Sequence, residues 1–271
     1  MPDISKDDLF NFSHTRSPHF KTMDFHSHDN FEIYVFADGY ITYYIEEHTY
    51  DLVPGDILVI PPNHMHRPVV SKNEGMYERF VMNIPRETLK AFSTPEFDFY
   101  EMFSKINRVR LMPEKQDKMF NLLFTAAEET SLHEPGFHIA VNSAVLTVLT
   151  GIVRAINQGA ALPPSRENRT VPKVIVYIND HLQEKINLDR LAAQFYVSKY
   201  HLLREFKKYT HSSIYDYIIT KRVTYAKTLI TKGELLSEAA IKSGFSDYSV
   251  FYKNFTRKTG MTPKEYRNTH T

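Results

Sequence analysis

The sequence predicts an α+β protein of two domains, a small N-terminal β-barrel followed by two flanking helices, then an all-α domain of two helix-turn-helix units joined by a helix. Three observations carry this. Residues Phe25 to about Val81 alternate apolar and polar side chains in short runs separated by turn residues. From about Pro113 the apolar spacing changes to the three and four of a helix. After Pro172 short helical patterns follow one another, and one plan occurs twice. At 271 residues the chain is long for one core and comfortable for two.

In the first segment the strands read as Glu32 to Phe36, Ile41 to Ile45 and Ile57 to Ile60. Asp38-Gly39 and Pro54-Gly55 supply turns between them, and Pro61-Pro62-Asn63 stops the last. Short strands at this spacing imply a sandwich or barrel. Two helices follow, 115–132 and 137–157. The first is apolar at Met119, Leu122, Leu123 and Ala126. The second is apolar at Ile139, Val145, Val148, Leu149, Ile152 and Val153, and with Ala144 and Ile156 it has more apolar surface than one barrel contact requires. A helix–helix seam between two copies is the expectation for that excess, and burial within the domain is the alternative.

The segment Asn157-Gln-Gly-Ala-Ala-Leu-Pro-Pro-Ser-Arg-Glu-Asn-Arg-Thr170 reads as a linker. This divides the chain into a domain over 1–157, a linker over 158–171 and a domain over 172–271. The net charge of +1 hides an asymmetry. Residues 166–271 hold 19 Lys and Arg against 10 Asp and Glu, a charge of +9, so the remainder carries −8. A basic C-terminal half suits contact with a polyanion, which the acidic half does not.

Pro172 opens the first C-terminal helix, Val174 to Leu182. Asn187 caps the next, with Leu188, Leu191 and Ala192 inward. After Phe195-Tyr-Val197, Ser198 caps a basic helix in which Leu202 and Phe206 face the core. Lys199, Tyr200, Leu203, Arg204 and Lys207 are left on its other faces. A connecting helix, Ile214 to about Thr231, leads to Leu235–Lys242, a turn at Ser243-Gly244-Phe245, and a helix from Ser246 to about Thr259 with Phe251 and Phe255 inward. The interval from the small Ala to the first aromatic or aliphatic anchor is ten residues in one unit and eleven in the other, which makes the repeat.

The sharpest chemical constellation is His26-Ser-His28-Asp-Asn-Phe-Glu32. On a strand, residues 26, 28, 30 and 32 would share one face, bringing two imidazoles and a carboxylate together. His66 is a third imidazole within reach. The spacings, His26, His28, Glu32 and Gly39, then Gly55, Pro61 and His66, resemble the two motifs of the cupin superfamily. The chain departs from them at Phe20, Asn63 and Val70, where Gly, Gly and Asn would stand. By that resemblance the barrel is cupin-like, and His26, His28, Glu32 and His66 would hold a divalent metal, a possible cofactor. An organic effector such as a sugar is a second reading, paired by His26, His28, Glu32 and His66 and resting on Tyr34, Phe36 or Tyr43. A polar lumen whose side chains bond one another is the third. The alternative keeps the barrel as a metal sensor, or as a dioxygenase or isomerase with an open metal position, fused to a DNA-binding domain; no further acid–base pair stands out, so no enzyme is expected.

The C-terminal half resembles the AraC/XylS family of bacterial regulators over residues 172–268. The resemblance is carried by Arg222-Val-Thr-Tyr-Ala226, Ile230, Leu236, Ala239-Ala240, Gly244-Phe245, Phe251, Phe255, Gly260 and Thr262-Pro263. The first unit has His211 where the family usually has Gly after the recognition helix. The resemblance implies a sequence-specific DNA-binding regulator, most often an activator that recruits RNA polymerase. It also implies a small-molecule effector, a carbohydrate in many members, and a homodimer. The base-facing positions it implies are Tyr200, Leu203 and Arg204, then Tyr248, Ser249, Tyr252 and Lys253, with Lys199 and Lys207 completing the DNA-facing set. Two such helices can reach successive major grooves, about 34 Å apart.

The chain has no Cys, which excludes disulfides, thiolate zinc sites and cysteine nucleophiles. No uninterrupted apolar run approaches the roughly 20 residues that span a bilayer. Met1-Pro-Asp-Ile-Ser-Lys-Asp-Asp8 lacks the features of a secretory signal, so a cytoplasmic protein is expected.

Overall fold

The computed structural model describes residues 9–18, 23–70, 75–95, 97–165 and 170–270. Phe20, part of the first turn of the barrel motif, and residues 166–169 of the linker lie outside them, as does the N-terminal segment read for a secretory signal. The chain forms two compact units, one drawn from Met1–Met23, His28–Ile45 and Thr49–Ser165, the other from Asp24–Ser27, Glu46–His48 and Arg166–Thr271.

The strands are β1 (Asn11–Ser17), β2 (Phe31–Asp38), β3 (Ile41–Ile45), β4 (His48–Leu52), β5 (Asp56–Ile60), β6 (His66–Val70), β7 (Tyr77–Ile84) and β8 (Arg108–Arg110). They make a five-stranded sheet in the order β1-β7-β2-β5-β8 and a three-stranded sheet in the order β4-β3-β6. The pairs β1·β7, β2·β5, β2·β7, β3·β6 and β5·β8 are antiparallel. Alternation sorts the side chains of the larger sheet onto two faces. Tyr34, Phe36 and Leu58 join Tyr43, Tyr50 and Tyr77 in a core fed by both sheets. Phe31, Ile33, Val35, Ile57 and Val59 point the other way.

That outer face is covered by helices. Two short ones, α1 (Arg86–Ala91) and α2 (Phe99–Phe103), precede β8, and two long ones follow it, α3 (Pro113–Leu132) and α4 (Phe137–Asn157). Helix α4 is long and apolar enough, by length and composition, to cross a membrane, although no uninterrupted apolar run suggested it. Much of its apolar side packs inside the unit. Val145, Ile152 and Val153 are fully buried, and Ala144, Val148 and Leu149 nearly so, in one core with the sheet face and α3. Ile139, by contrast, is 74% exposed and Leu146 and Ile156 are half-buried, so part of the apolar surface from which a seam between copies is expected stays on the outside of the unit. At the sheet edge, Asp56 is wholly buried and receives Arg108 Nη2 at 2.8 Å and Arg110 Nε at 2.7 Å, which ties β5 to β8.

The second unit holds α5 (Thr170–Asp180), α6 (Leu188–Gln194), α7 (Lys199–Thr210), α8 (Ile214–Thr231), α9 (Leu236–Lys242), α10 (Tyr248–Thr259) and α11 (Pro263–His270). Its caps follow the local chemistry. The Asn187 side chain accepts from the N–H groups of Asp189 and Arg190, Ser198 from His201, and Ser213 from Asp216. Helix α10 begins two residues later than the sequence suggests, because Asp247 and not Ser246 accepts from Val250 N–H. Thr262 and Glu265 form a reciprocal capping box at the start of α11. Ala239, Ala240, Phe245, Phe251, Phe255 and Tyr266 build the core of the second helix-turn-helix.

Candidate DNA interface and candidate effector site

The two recognition helices are α7 and α10, each of 12 residues and each following a short helix and a tight turn. In α7 Leu202 and Phe206 are buried, while Lys199, Tyr200, Arg204 and Lys207 are exposed and Leu203 is half-buried. In α10 Phe251 and Phe255 are buried, while Tyr248, Ser249, Tyr252 and Lys253 are exposed. Tyr200 is 75% exposed, so this ring at helical spacing is not a core residue. Each helix thus presents a basic and aromatic face to solvent beside an apolar one. Lys199 Nζ reaches Asp189 Oδ2 of α6 at 3.0 Å. Arg204 is held by Glu205 Oε1 and His201 Nδ1, both at 3.2 Å, so His201 positions it, a contact the sequence reading did not assign.

The C-terminal ends differ in residue but not in conformation. His211 takes the left-handed conformation at φ 55°, and its N–H donates to Lys207 O, just as Gly260 at φ 76° donates to Thr256 O. The non-glycine cap is therefore accommodated. Around the second turn the fit is tighter. Gly244 has φ +92°, and a Cβ there would lie 2.6 Å from Leu182 O and 2.8 Å from Gln183 Cα. Arg222, on α8, donates to the carbonyls of Leu182 and Glu184, fastening the end of the α5 segment to the connecting helix.

In the barrel, Glu32, His28 and His66 come together with their ligand-type atoms within 4.8 Å of one another. Glu32 is buried, and its Oε2 stands 3.1 Å from His28 Nε2 and 3.6 Å from His66 Nε2. Tyr43 Oη donates to Glu32 Oε1 at 3.0 Å. The other ring nitrogens face backbone carbonyls, His28 Nδ1 that of Asn30 and His66 Nδ1 that of His64, so each Nδ1 is a donor and each Nε2 is aimed at the carboxylate. Burial pushes the Glu32 carboxyl up, but the hydrogen bond from His28, with the nearby His66 imidazole and the charges of both rings, holds it well below the carboxylate range. Burial pulls His28 down, and the hydrogen bond and charge of Glu32, with Asn30 O and Asp29, raise it above an ordinary histidine.

His26 does not join them. Strand β2 starts only at Phe31, so residues 26–30 do not share the alternating register that put His26 beside His28, and His26 Nδ1 instead faces Asp24 O at 2.9 Å. Tyr34 and Tyr43 lie where expected, in the core between the sheets, with rings 4.8 Å apart. Two residues of β7 were missed. Tyr77 Oη is 2.6 Å from Tyr34 Oη, and the Arg79 guanidinium lies 5.7 Å from the ring centres of both tyrosines. Arg79 pairs in register with Phe36, which turns it to the same side. The period-two run Tyr77, Arg79, Val81 was the available signal. The interior thus presents a carboxylate between two imidazoles, three tyrosine hydroxyls and a guanidinium, a set that can bond a small polar molecule.

Comparison with known proteins agrees with both halves. The AraC-like ligand binding domain family matches residues 13–141, and a helix-turn-helix domain family matches residues 191–269. The chain is 29% identical over 142 residues to the HTH-type transcriptional activator RhaR of Escherichia coli (strain K12), covering 50% of each chain. It spans about half the length of the curated relatives it matches. Among solved structures it is similar to a protein of unknown function from Listeria innocua, at 32% identity and TM-score 0.37, over 38% of this chain and all of the other. It is also similar to the DNA-binding domain of AdpA in complex with a target DNA, at 28% identity and TM-score 0.36, over 38% of this chain and 93% of the other. With an AraC-like ligand-binding domain followed by a helix-turn-helix domain, the chain belongs to the AraC family of transcriptional regulators.

Proposed function

We propose that this protein binds specific DNA through α7 and α10 and regulates transcription in response to a small molecule bound in the barrel. The observation that carries the reading is the repeated recognition helix with a buried aliphatic or aromatic pair on one side and exposed basic and aromatic residues on the other. Arg204 donates to guanine O6 and N7, while Leu203 and Tyr200, Tyr248 and Tyr252 contact thymine methyls. Lys199, Lys207, Ser249 and Lys253 hold phosphates or base edges. Activation is supported by the name of the relative RhaR. A carbohydrate effector, RNA polymerase as partner, a homodimer, domain limits at 157 and 172 and a cytoplasmic location complete the proposal. They are supported by the family and, for the effector, by the hydroxyl-pairing groups Glu32, His28, His66, Tyr34 and Tyr43. The proposal includes no catalytic role. An effector changes DNA affinity only by binding two arrangements of the protein unequally.

The test is selection of binding sites from random-sequence DNA with the full chain, then titration of the selected site with and without candidate sugars. Enrichment of a two-part site, lost in the R204A/K253A double variant, supports the reading. Equal retention of all sequences would overturn it.

A second reading of the barrel is favoured by one feature. Both Nδ1 atoms donate to carbonyls, as metal-ligating histidines commonly do, leaving both Nε2 atoms directed at Glu32. The Glu32 Oε2 separations of 3.1 and 3.6 Å bracket the edge of a tetrahedron with bonds of about 2.1 Å, which is roughly 3.4 Å. His28, Glu32 and His66 therefore fit a divalent transition metal, which when bound would supply a fixed charge for orienting an effector. Metal content of the purified chain, compared with that of the H28A/E32A variant, decides between the readings.

A further inference from the structure

A cleft of about 500 Å³ opens between α3 and α4, and none of the barrel-interior residues described above lines it. Its floor is apolar, with Met119, Leu122 and Leu146. Its rim carries three cations, Lys115, Lys118 and Arg154. Among the described residues none of the three forms an ion pair, and Lys115 Nζ donates to the neutral Gln158 Oε1 at 2.7 Å. This grouping runs against its setting, since the half of the chain that contains it carries a net charge of −8.

The two helices form a hairpin joined by residues 133–136, so the start of α3 lies beside the end of α4. Lys115 and Lys118 at one end of α3 and Arg154 at the facing end of α4 therefore gather at one end of the cleft. Leu122 and Leu146 lie toward the other. The groove thus has a cationic head and an apolar tail. Gly151 lines it in mid-helix, where glycine weakens a helix relative to alanine. A Cβ at Gly151 would meet nothing within 4 Å, so no packing demand within the unit calls for the missing side chain. What the glycine does provide is room in the cleft.

We propose that the α3–α4 cleft is a binding site for a small amphiphilic carboxylate, its apolar body on Leu122 and Leu146 and its anionic head between Lys115, Lys118 and Arg154. The volume lies within the range of small-molecule sites, about 300–1,000 Å³. The site is separate from the barrel reading and does not depend on it. Because it sits on the helices that cover the sheet, it offers a second input to the same domain.

The test uses calorimetric titration of the full chain with 4-phenylbutyrate, with 4-phenylbutanol and with 4-phenylbutylammonium as probes. The carboxylate binds most tightly, the alcohol about ten-fold more weakly, and the ammonium not measurably. K118E/R154E, a surface change that leaves the core intact, lowers carboxylate affinity by about ten-fold or more and leaves the alcohol unchanged. Gly151→Leu fills the cleft and removes both. Equal affinity for carboxylate and alcohol would overturn the proposal, as would full carboxylate affinity in K118E/R154E. Loss of binding in Glu32→Gln but not in Gly151→Leu would place the probe in the barrel and also overturn it. If no probe binds, and sedimentation shows that K118E/R154E turns a dimer into monomers, the cleft belongs to a second copy of the chain and the proposal fails.

Discussion

Replacing Gly244 by alanine tests how the two helix-turn-helix units are held together. The residue sits at φ +92°, where a Cβ costs about 1–2 kcal/mol by local sterics alone. The same Cβ would stand 2.6 Å from Leu182 O, 2.8 Å from Gln183 Cα and 2.9 Å from Arg222 Nε. The first two are backbone atoms and cannot rotate away. Relief requires the 182–184 turn to move, and that turn is clipped by Arg222, whose Nε donates to Leu182 O at 2.8 Å and Nη2 to Glu184 O at 2.7 Å. Hydrogen bonds from a charged group are worth about 1.5–3 kcal/mol each, so weakening one adds a comparable loss. The expected total is about 2.5–5 kcal/mol. Gly233→Ala is the control, because Gly233 has φ +87° but no atom within 4 Å of a new Cβ, and it should cost only the local part. Amide hydrogen exchange read by mass spectrometry separates the units within the full chain. Peptides from α8 and α10 should exchange at least about 100-fold faster in Gly244→Ala and about ten-fold faster in Gly233→Ala, with barrel peptides unchanged. Equal loss of protection in the two variants would show that crowding against the 182–184 turn contributes nothing, and the reasoning would be wrong.

Removing Asp56 should destabilise the barrel by about 3–5 kcal/mol, since Asp56→Ala leaves the Arg108 guanidinium buried without its carboxylate; urea unfolding followed by tyrosine fluorescence measures it. Arg204→Ala should cost about 1–3 kcal/mol on the selected DNA site and relax sequence preference at one position. Lys207→Ala should weaken all sequences alike and lower the salt slope by about one, both read by fluorescence anisotropy at several salt concentrations. The His28–Glu32 pair makes the metal-free barrel most stable in a pH window. Glu32, with a depressed folded pKa, contributes in full above its ordinary 4.5 and loses its contribution as pH falls through the lower folded value. His28, with a raised folded pKa, contributes in full below 6.5 and loses it as pH rises through the higher folded value. Melting temperature in chelator should therefore be highest between these two values and flatten in Glu32→Gln.

Much of the architecture was legible because it rests on local chemistry. The strands containing Tyr34, Tyr43 and Leu58 were visible in period-two alternation, and the Asn187 and Ser198 caps follow from side chains that bond their own backbone. The misreadings arise where distant contacts decide. His26 looked like a ligand because alternation was extended back through Asp29-Asn30, where the backbone is not a strand. Arg79 was overlooked because nothing near it in sequence shows that β7 pairs with β2 and brings it beside Tyr34. That α3 covers much of the apolar face of α4 cannot be read from the helix itself.

Helix α4 has a consequence for the newly made chain. Its residues have a mean hydropathy of 1.8, and much of its apolar side is covered by α3 and by the sheet face bearing Phe31, Ile33, Val35, Ile57 and Val59. Those strands leave the ribosome before α4 does, so the surface that shelters the helix is made first. A mutation that delays the sheet, such as one at Asp56, would leave this apolar helix uncovered and open to contact with other unfolded chains. In cells its first visible effect would be aggregated protein, ahead of any defect in DNA recognition.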